Sequence, residues 1–210
     1  MSKMFKTIAA FVMFSCIASV NASVITNADI DGGVVVTLPN GWVQENAISL
    51  FDGVDANIRN DRSSVFNTRS DRLDPEGDPL SDTNFISIAG SFTTLIDITA
   101  LGLANDWGYL TQQELSDLRV IFTDVSNNVL FDQEFNGLNV NSFAVQSLAS
   151  NLNIIGAMNF EFRLVGSENV SVEIREFVIE ASTSMLMVPA PAIFVLILAA
   201  FGFVFARKQS

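Results

Sequence analysis

Between Met158 and Leu164 apolar and polar residues alternate strictly: Met158, Phe160, Phe162 and Leu164 are separated by Asn159, Glu161 and Arg163. Past the turn residues Gly166-Ser167-Glu168-Asn169 the pattern resumes at Val170, Val172 and Ile174. Successive side chains of a strand point to opposite faces, so this period of two predicts strands with one apolar face each. A helix does not read this way, because its apolar stripe recurs every three to four residues. An apolar sheet face has to be covered, and short strands joined by polar turns are covered by a second sheet. The parity then slips, since Phe177 and Ile179 are odd-numbered, and one β-bulge near Arg175-Glu176 restores it.

The rest of the middle region extends the same reading. Val34 to Leu38 is β-branched and lies between Gly32-Gly33 and Pro39-Asn40-Gly41, a strand bounded by turns. Trp42 to Phe51 reads as a second extended run ending in Asp52-Gly53. Phe85 to Ile88 and Phe92 to Leu101 read as two strands or one bent strand. Leu118, Val120 and Phe122 alternate with Arg119 and Thr123, and Ser126-Asn127-Asn128 turns this strand into Val129 to Phe135 as a hairpin. Val140 to Leu148 is a less regular strand. Thr111-Gln112-Gln113-Glu114 has the form of a capping box and predicts a short helix to about Ser116. Residues 54–84 form a long polar stretch without period, expected as a functional or disordered loop. The expected fold class is all-β, an antiparallel β-sandwich over residues 23–184.

Both ends of the chain read as addresses. Residues 1–22 place Lys3 and Lys6 before an apolar run from Ile8 to Phe14, with Val20-Asn21-Ala22 at a cleavage position, so a secretory signal peptide cut after Ala22 is expected. The run is short of the ~20 residues that a retained span needs. Cys16, the only cysteine, falls inside the signal, and the Met-Phe-Ser before it is a poor lipobox, so the mature chain is expected without cysteine. Residues 185–210 carry Val188-Pro189-Ala190-Pro191, an apolar run over 192–206, and then Arg207 and Lys208. Fifteen helical residues rise only about 22 Å, short of a ~30 Å bilayer core, and adding Met185 to Pro191 brings the run near spanning length. The two cations then stay cytoplasmic and the preceding domain lies outside.

This tail resembles the PEP-CTERM class of bacterial sorting signals, which has a Pro-x-Pro motif, a short apolar helix and a final basic cluster. Ala190 stands where the class most often has Glu, as in its Val-Pro-Ala-Pro-Ala variant. The resemblance implies recognition of Val188, Pro189, Ala190 and Pro191 by a membrane exosortase, and delivery to the cell surface or the exopolysaccharide matrix. A plain uncut C-terminal anchor is the alternative.

Charge and side-chain inventory narrow the chemistry. All 23 acidic residues fall between Asp29 and Glu180, a region with seven arginines and no lysine. A basic footprint is absent there, which excludes nucleic acid as its partner. The acidity itself is in keeping with solubility in a salty exterior. The chain has no histidine, so Ser-His and Cys-His catalysis and His-ligated zinc are excluded, while a carboxylate pair of glycosidase type stays open. No phosphate-binding glycine loop is present. Sugar faces stack on Trp and Tyr, and Trp107 and Tyr109, flanking Gly108, are the first choice for a ligand platform.

Two segments are similar to the discoidin-type, galactose-binding-like jelly rolls: Ala47-Ile48-Ser49-Leu50-Phe51-Asp52-Gly53 and Val172-Glu173-Ile174-Arg175-Glu176-Phe177-Val178-Ile179. In carbohydrate-binding members the two meet around a structural calcium. The resemblance therefore implies Asp52 and Glu176 as calcium ligands, with Asp55 and Asn57 nearby, a donor set of hard oxygens that suits this ion. The departure is Ala56-Asn57-Ile58, where the family has a Thr and an aromatic. On the residues alone, Asp52-Gly53 also reads as a simple turn and Glu176 as a solvated strand residue. The acidic segment Asp71 to Asp78 lacks the spacing of an EF-hand loop and reads as solvated. Three functions follow: a matrix-associated module binding glycan or calcium, a purely structural matrix protein, or a carboxylate glycosidase.

Overall fold

The computed structural model describes residues 22–39, 42–53, 66–70, 80–105, 115–138, 145–167 and 171–183. These contain eleven strands: β1 (Ser23–Val24), β2 (Ile30–Thr37), β3 (Trp42–Glu45), β4 (Phe66–Ser70), β5 (Ile86–Ala104), β6 (Leu115–Thr123), β7 (Val129–Asn136), β8 (Gln146–Ala149), β9 (Ile154–Ser167), β10 (Ser171–Ile174) and β11 (Glu176–Thr183). Two short 3₁₀ turns, Asn27–Asp29 and Ala47–Phe51, interrupt them. Among the described residues every pairing is antiparallel. The larger sheet runs β1-β11-β5-β9-β6-β7, with β2 and β8 also pairing with β5, and a smaller sheet runs β10-β4-β3.

The alternating segments bury one face as the sequence predicts. Leu118, Val120 and Phe122 of β6 and Phe160, Phe162 and Leu164 of β9 share one core with Ile86 and Ile88 of β5. Trp42, Phe66, Val172 and Ile174 of the smaller sheet enter the same core, so the two sheets face each other across it as a β-sandwich. Phe162 and Phe177 stack with centroids 4.3 Å apart, and Phe51 lies 5.4–6.0 Å from Phe160, Phe162 and Phe177. Such ring pairs contribute ~1 kcal/mol each beyond their buried area.

Strand β5 is the single bent strand among the two readings of 85–101. Its buried residues are even-numbered from Ile86 to Ile98, and from Leu101 to Ala104 every residue is buried. Opposite β11, Ala100 pairs with Glu180 and Ile98 with Ala181, leaving Thr99 as the extra residue of a bulge. In β2 the register breaks between Asp31 and Val35, where Gly32 and Gly33 take φ of +68° and +79°, a region disfavoured for side-chain-bearing residues.

Several expectations are corrected. The second extended run stops at Glu45, because Asn46 is left-handed (φ 58°) and starts the Ala47–Phe51 turn. The stretch 54–84 is not one loop: it holds β4, whose only apolar residue, Phe66, is fully buried while the backbone pairs with both β3 and β10. The helix expected to run to Ser116 is replaced at its end by β6, which starts at Leu115; residues 111–114 lie outside the described residues. Met158 stays out of the core, and Ala157 is buried instead. At Arg175 the chain makes no bulge but passes from the smaller sheet to the larger. The described part of Val140 to Leu148 forms β8, displaced to Gln146–Ala149. No helix among the described residues is long and apolar enough to cross a membrane, and the signal segment 1–21 and the tail 184–210 lie outside them.

Candidate functional site

At one end of the larger sheet the strands β6 and β9 fall out of regular register. Leu115 pairs with Ser167, Asp117 with Gly166, and Leu118 with Leu164, so Ser116 and Val165 are extra residues on facing strands. These paired irregularities let Leu115 and Leu118 both point into the core and turn Ser116 and Asp117 away from it, as bulges beside binding sites often do. A cleft of about 390 Å³ opens here, lined by Ser81, Asp82, Asp117, Glu134, Asn136 and Ser167 among others. That volume lies in the range of small-molecule sites.

Each wall is built by local chemistry. Leu80 is buried and anchors a tight turn in which Ser81 and Asn84 exchange backbone hydrogen bonds of 2.9 and 3.1 Å, which presents Asp82. Ser116 Oγ donates to Asp117 Oδ2 at 2.7 Å, and the Gly137 N–H donates to Asp117 Oδ1 at 3.1 Å, so both carboxylate oxygens are held. Gly137 is left-handed (φ +63°) and ends β7 just past Asn136. Gly166 forms the floor: a Cβ there would stand 2.6 Å from Ser116 Oγ and 2.8 Å from Asp117 Cβ, so the cleft requires its absence.

Segments 71–79, 106–114, 139–144 and 168–170 join the described structure at Leu80, at Asn105 and Leu115, at Leu138 and at Ser167. Leu138 N–H donates to Ser116 O at 3.0 Å. Asn105, 0% exposed, clamps the ends of one segment: its Nδ2 donates to Leu115 O (2.7 Å) and its Oδ1 accepts from the Leu115 N–H (3.1 Å). Both polar ends of this buried amide are thereby satisfied. Trp107 and Tyr109 belong to the segment it clamps, and lie outside the described residues.

Electrostatics beside the cleft are set by the outer face of the same strands. Arg119 donates through Nε and Nη2 to both oxygens of Asp132 at 2.7 Å each. The hydrogen bond from Arg119, aided by its charge, holds the Asp132 carboxyl below its usual range against the opposing effect of burial. For Glu161 burial acts upward most strongly, but hydrogen bonds from Arg163 (2.8 Å) and Ser87 (2.7 Å) together with positive charge draw it down.

Of the residues expected around calcium, Asp52 and Glu176 are not among those lining the cleft. Asp52 caps the Ala47–Phe51 turn and is followed by a left-handed Gly53 (φ +69°), so the Asp-Gly turn is present. Glu176 opens β11 opposite Ala104 and is 7% exposed, which corrects the reading of a solvated strand residue. Phe51 and Phe177, the neighbours of these two acids in sequence, pack with centroids 5.8 Å apart, so the two segments run side by side. Asp55 and Asn57 lie outside the described residues, as do Val188, Pro189, Ala190, Pro191, Arg207 and Lys208. Among the described residues no group of three or more His, Cys, Asp or Glu is arranged to hold a metal ion. Sequence reasoning did not single out Asp117, Glu134, Asn136 or Gly166, which come from three separate strands and their bulges.

No protein-family model matches the chain, and no curated protein matches it in sequence. Solved structures do match its fold. The family 32 carbohydrate-binding module from Clostridium perfringens NanJ, in complex with galactose, superposes with a TM-score of 0.52 at 10% identity, over 76% of this chain and 99% of that one. A family 32 module from a family 31 glycoside hydrolase of Clostridium perfringens gives 0.52 at 9% identity, over 76% and 95%. A histidine mutant of the lectin binding domain of Lectinolysin, complexed with Lewis b, gives 0.51 at 15% identity, over 75% and 98%. The likeness is one of fold: these structures share the β-sandwich of this chain, in keeping with the jelly-roll resemblance of the two sequence segments.

Proposed function

We propose that the chain is a non-catalytic glycan-binding protein of the bacterial cell exterior that takes a saccharide into the cleft bounded by Asp82, Asp117 and Glu134. The observation that carries this reading is the open polar cleft at one end of the larger sheet, in a sandwich whose fold is shared with sugar-bound modules. Carboxylate, amide and hydroxyl groups converge there, and sugar hydroxyls both donate to and accept from such groups. Trp107 and Tyr109, on the segment clamped by Asn105, supply the stacking faces. Calcium would be held by Asp52 and Glu176 with Asp55 and Asn57, a hard-oxygen donor set that fits the ion, and would tie the Ala47–Phe51 turn to β11.

Delivery is part of the same proposal. The signal peptide exports the chain, and the tail of Val188 to Pro191, the apolar run and Arg207-Lys208 hold it in the membrane until an exosortase cuts near the motif. Recovered from an exosortase-bearing bacterium, the protein is expected to end near Val188–Pro191 by mass spectrometry; an intact Ser210 end refutes the sorting. The recovered protein is expected to be retained on at least one column of immobilised glycan, more weakly once a chelator is added. Passage through every glycan column refutes the binding and leaves a structural matrix role.

A further inference from the structure

The cleft's charge says which saccharides it takes. Its described lining contains three carboxylates from three elements, Asp82 before β5, Asp117 in β6 and Glu134 in β7, and no arginine or lysine. Asp117 is occupied by Ser116 and Gly137. Asp82 and Glu134 are exposed and make no hydrogen bond among the described residues. Arg119, which pairs across the ladder with Glu134 and shares its face, feels both acids electrostatically, while its guanidinium donates bidentately to Asp132. The chain as a whole carries a net charge of −12.

A ligand entering this space exchanges water for contact with acceptors. A protonated amine brings three N–H donors and a positive charge to two carboxylates that accept no hydrogen bond among the described residues. A neutral sugar brings hydroxyl donors without the charge. A uronate, sialate or sulfate brings a third negative charge to the same walls, and like charges in one cleft repel. We infer that the cleft, on the glycan-binding reading above, selects saccharides bearing a free amine, such as de-N-acetylated hexosamine oligomers, over neutral sugars, and rejects acidic ones. The wider acidic surface works in the same direction by concentrating cations near the protein.

The test is calorimetric titration of the full chain, at low and at physiological salt, with glucosamine trimer, its N-acetylated counterpart, a galactose oligomer and a galacturonate oligomer. Glucosamine trimer is expected to bind best, galacturonate not at all, and added salt to weaken only the former. Asp82→Asn and Glu134→Gln, which break no hydrogen bond among the described residues, are each expected to weaken glucosamine binding about two- to fivefold, the usual worth of an exposed ion pair. The N-acetylated trimer, which brings no charge for them to attract, is expected to lose less than glucosamine trimer does, so the preference for the free amine narrows in both variants. Equal or tighter binding of the N-acetylated, galactose or galacturonate ligand, loss of all binding on adding a chelator, or variants without effect overturns the selectivity while glycan binding stands. Absence of binding to all four ligands, together with passage through every glycan column, overturns the glycan-binding reading itself.

Discussion

Replacing Gly166 by alanine tests whether the cleft is a built feature. The new methyl would fall 2.6 Å from Ser116 Oγ and 2.8 Å from Asp117 Cβ, and closer still to the Asp117 carboxylate. Ser116 Oγ and the Asp117 carboxylate are side-chain ends that can rotate, but Asp117 Cβ is fixed to its strand, so the Asp117 side chain has to turn and the strand has to give. Moving it breaks the hydrogen bonds from Ser116 Oγ and from Gly137 N–H. Overpacking costs about 1–3 kcal/mol, and the two lost hydrogen bonds add about 1 kcal/mol each, less where solvent replaces them. A total of about 2–4 kcal/mol lowers Tm by roughly 5–12 °C in a domain of this size. The assay is thermal unfolding followed by circular dichroism, with glycan binding measured below the transition. Combining Gly166→Ala with Asp117→Gly removes the colliding Asp117 atoms and leaves only Ser116 Oγ, a hydroxyl that can then rotate away, so the pair is expected to be less destabilised than the sum by at least ~1 kcal/mol. A Gly166→Ala protein that melts within a degree of the parent, or strict additivity of the pair, refutes the tight floor.

Two further outcomes follow from the interior and from the outer face. Phe51→Ala empties a fully buried site ringed by Phe160, Phe162 and Phe177, and is expected to cost about 3–5 kcal/mol in urea unfolding with an unchanged slope; a loss below ~1 kcal/mol refutes the docking of the Ala47–Phe51 turn on β11. The carboxyls of Asp132 and Glu161 are depressed in the fold, so their stabilisation is present above the ordinary carboxylate range near pH 4 and is lost as pH falls through their lower folded values. Tm is therefore expected to fall on acidification below about pH 4, and Asp132→Asn to flatten part of that fall; a Tm that holds through this range, or a variant with the parent's slope, contradicts the assignment.

Strands were legible in sequence where one face alone is buried. Phe160, Phe162 and Leu164, and Leu118, Val120 and Phe122, show their alternation because water meets the residues between them. The Thr99 bulge is marked by register alone, because beyond it Leu101 to Ala104 are all buried and no longer alternate. The signal fails where burial does not alternate. Strand β4 has only Phe66 to declare it, and its existence rests on backbone pairing with two neighbours, which composition does not encode. Ala47 to Phe51 reads as a strand by content, and becomes a 3₁₀ turn because Asn46 adopts a left-handed conformation that Asn tolerates. The cleft was illegible for a different reason: Asp82, Asp117, Glu134 and Gly166 are each ordinary locally, and only register brings them together.

The run from Val172 to Phe177 shows why alternation misled near the end of the domain. The residues alternate apolar and charged, which in a half-exposed strand means inside and outside. Here Glu173 and Arg175 are each 3% exposed and Glu176 is 7% exposed, so the charged side of the pattern is as buried as the apolar side. The cause is the change of sheet. Up to Ile174 the chain pairs with β4, Arg175 N–H donates to Ala104 O at 2.9 Å, and from Glu176 it pairs with β5. A segment crossing between two layers has protein on both sides, so neither set of side chains reaches water freely. Buried charges are tolerated only with partners, and breaking one such pair costs far more than an exposed one contributes. A parity slip that coincides with closely spaced charges of both signs is thus better read as a crossing between sheets than as a bulge. The same crossing carries Glu176 to the segment beside Asp52, which makes the calcium proposal a question about this buried strand junction and not about the acidic surface.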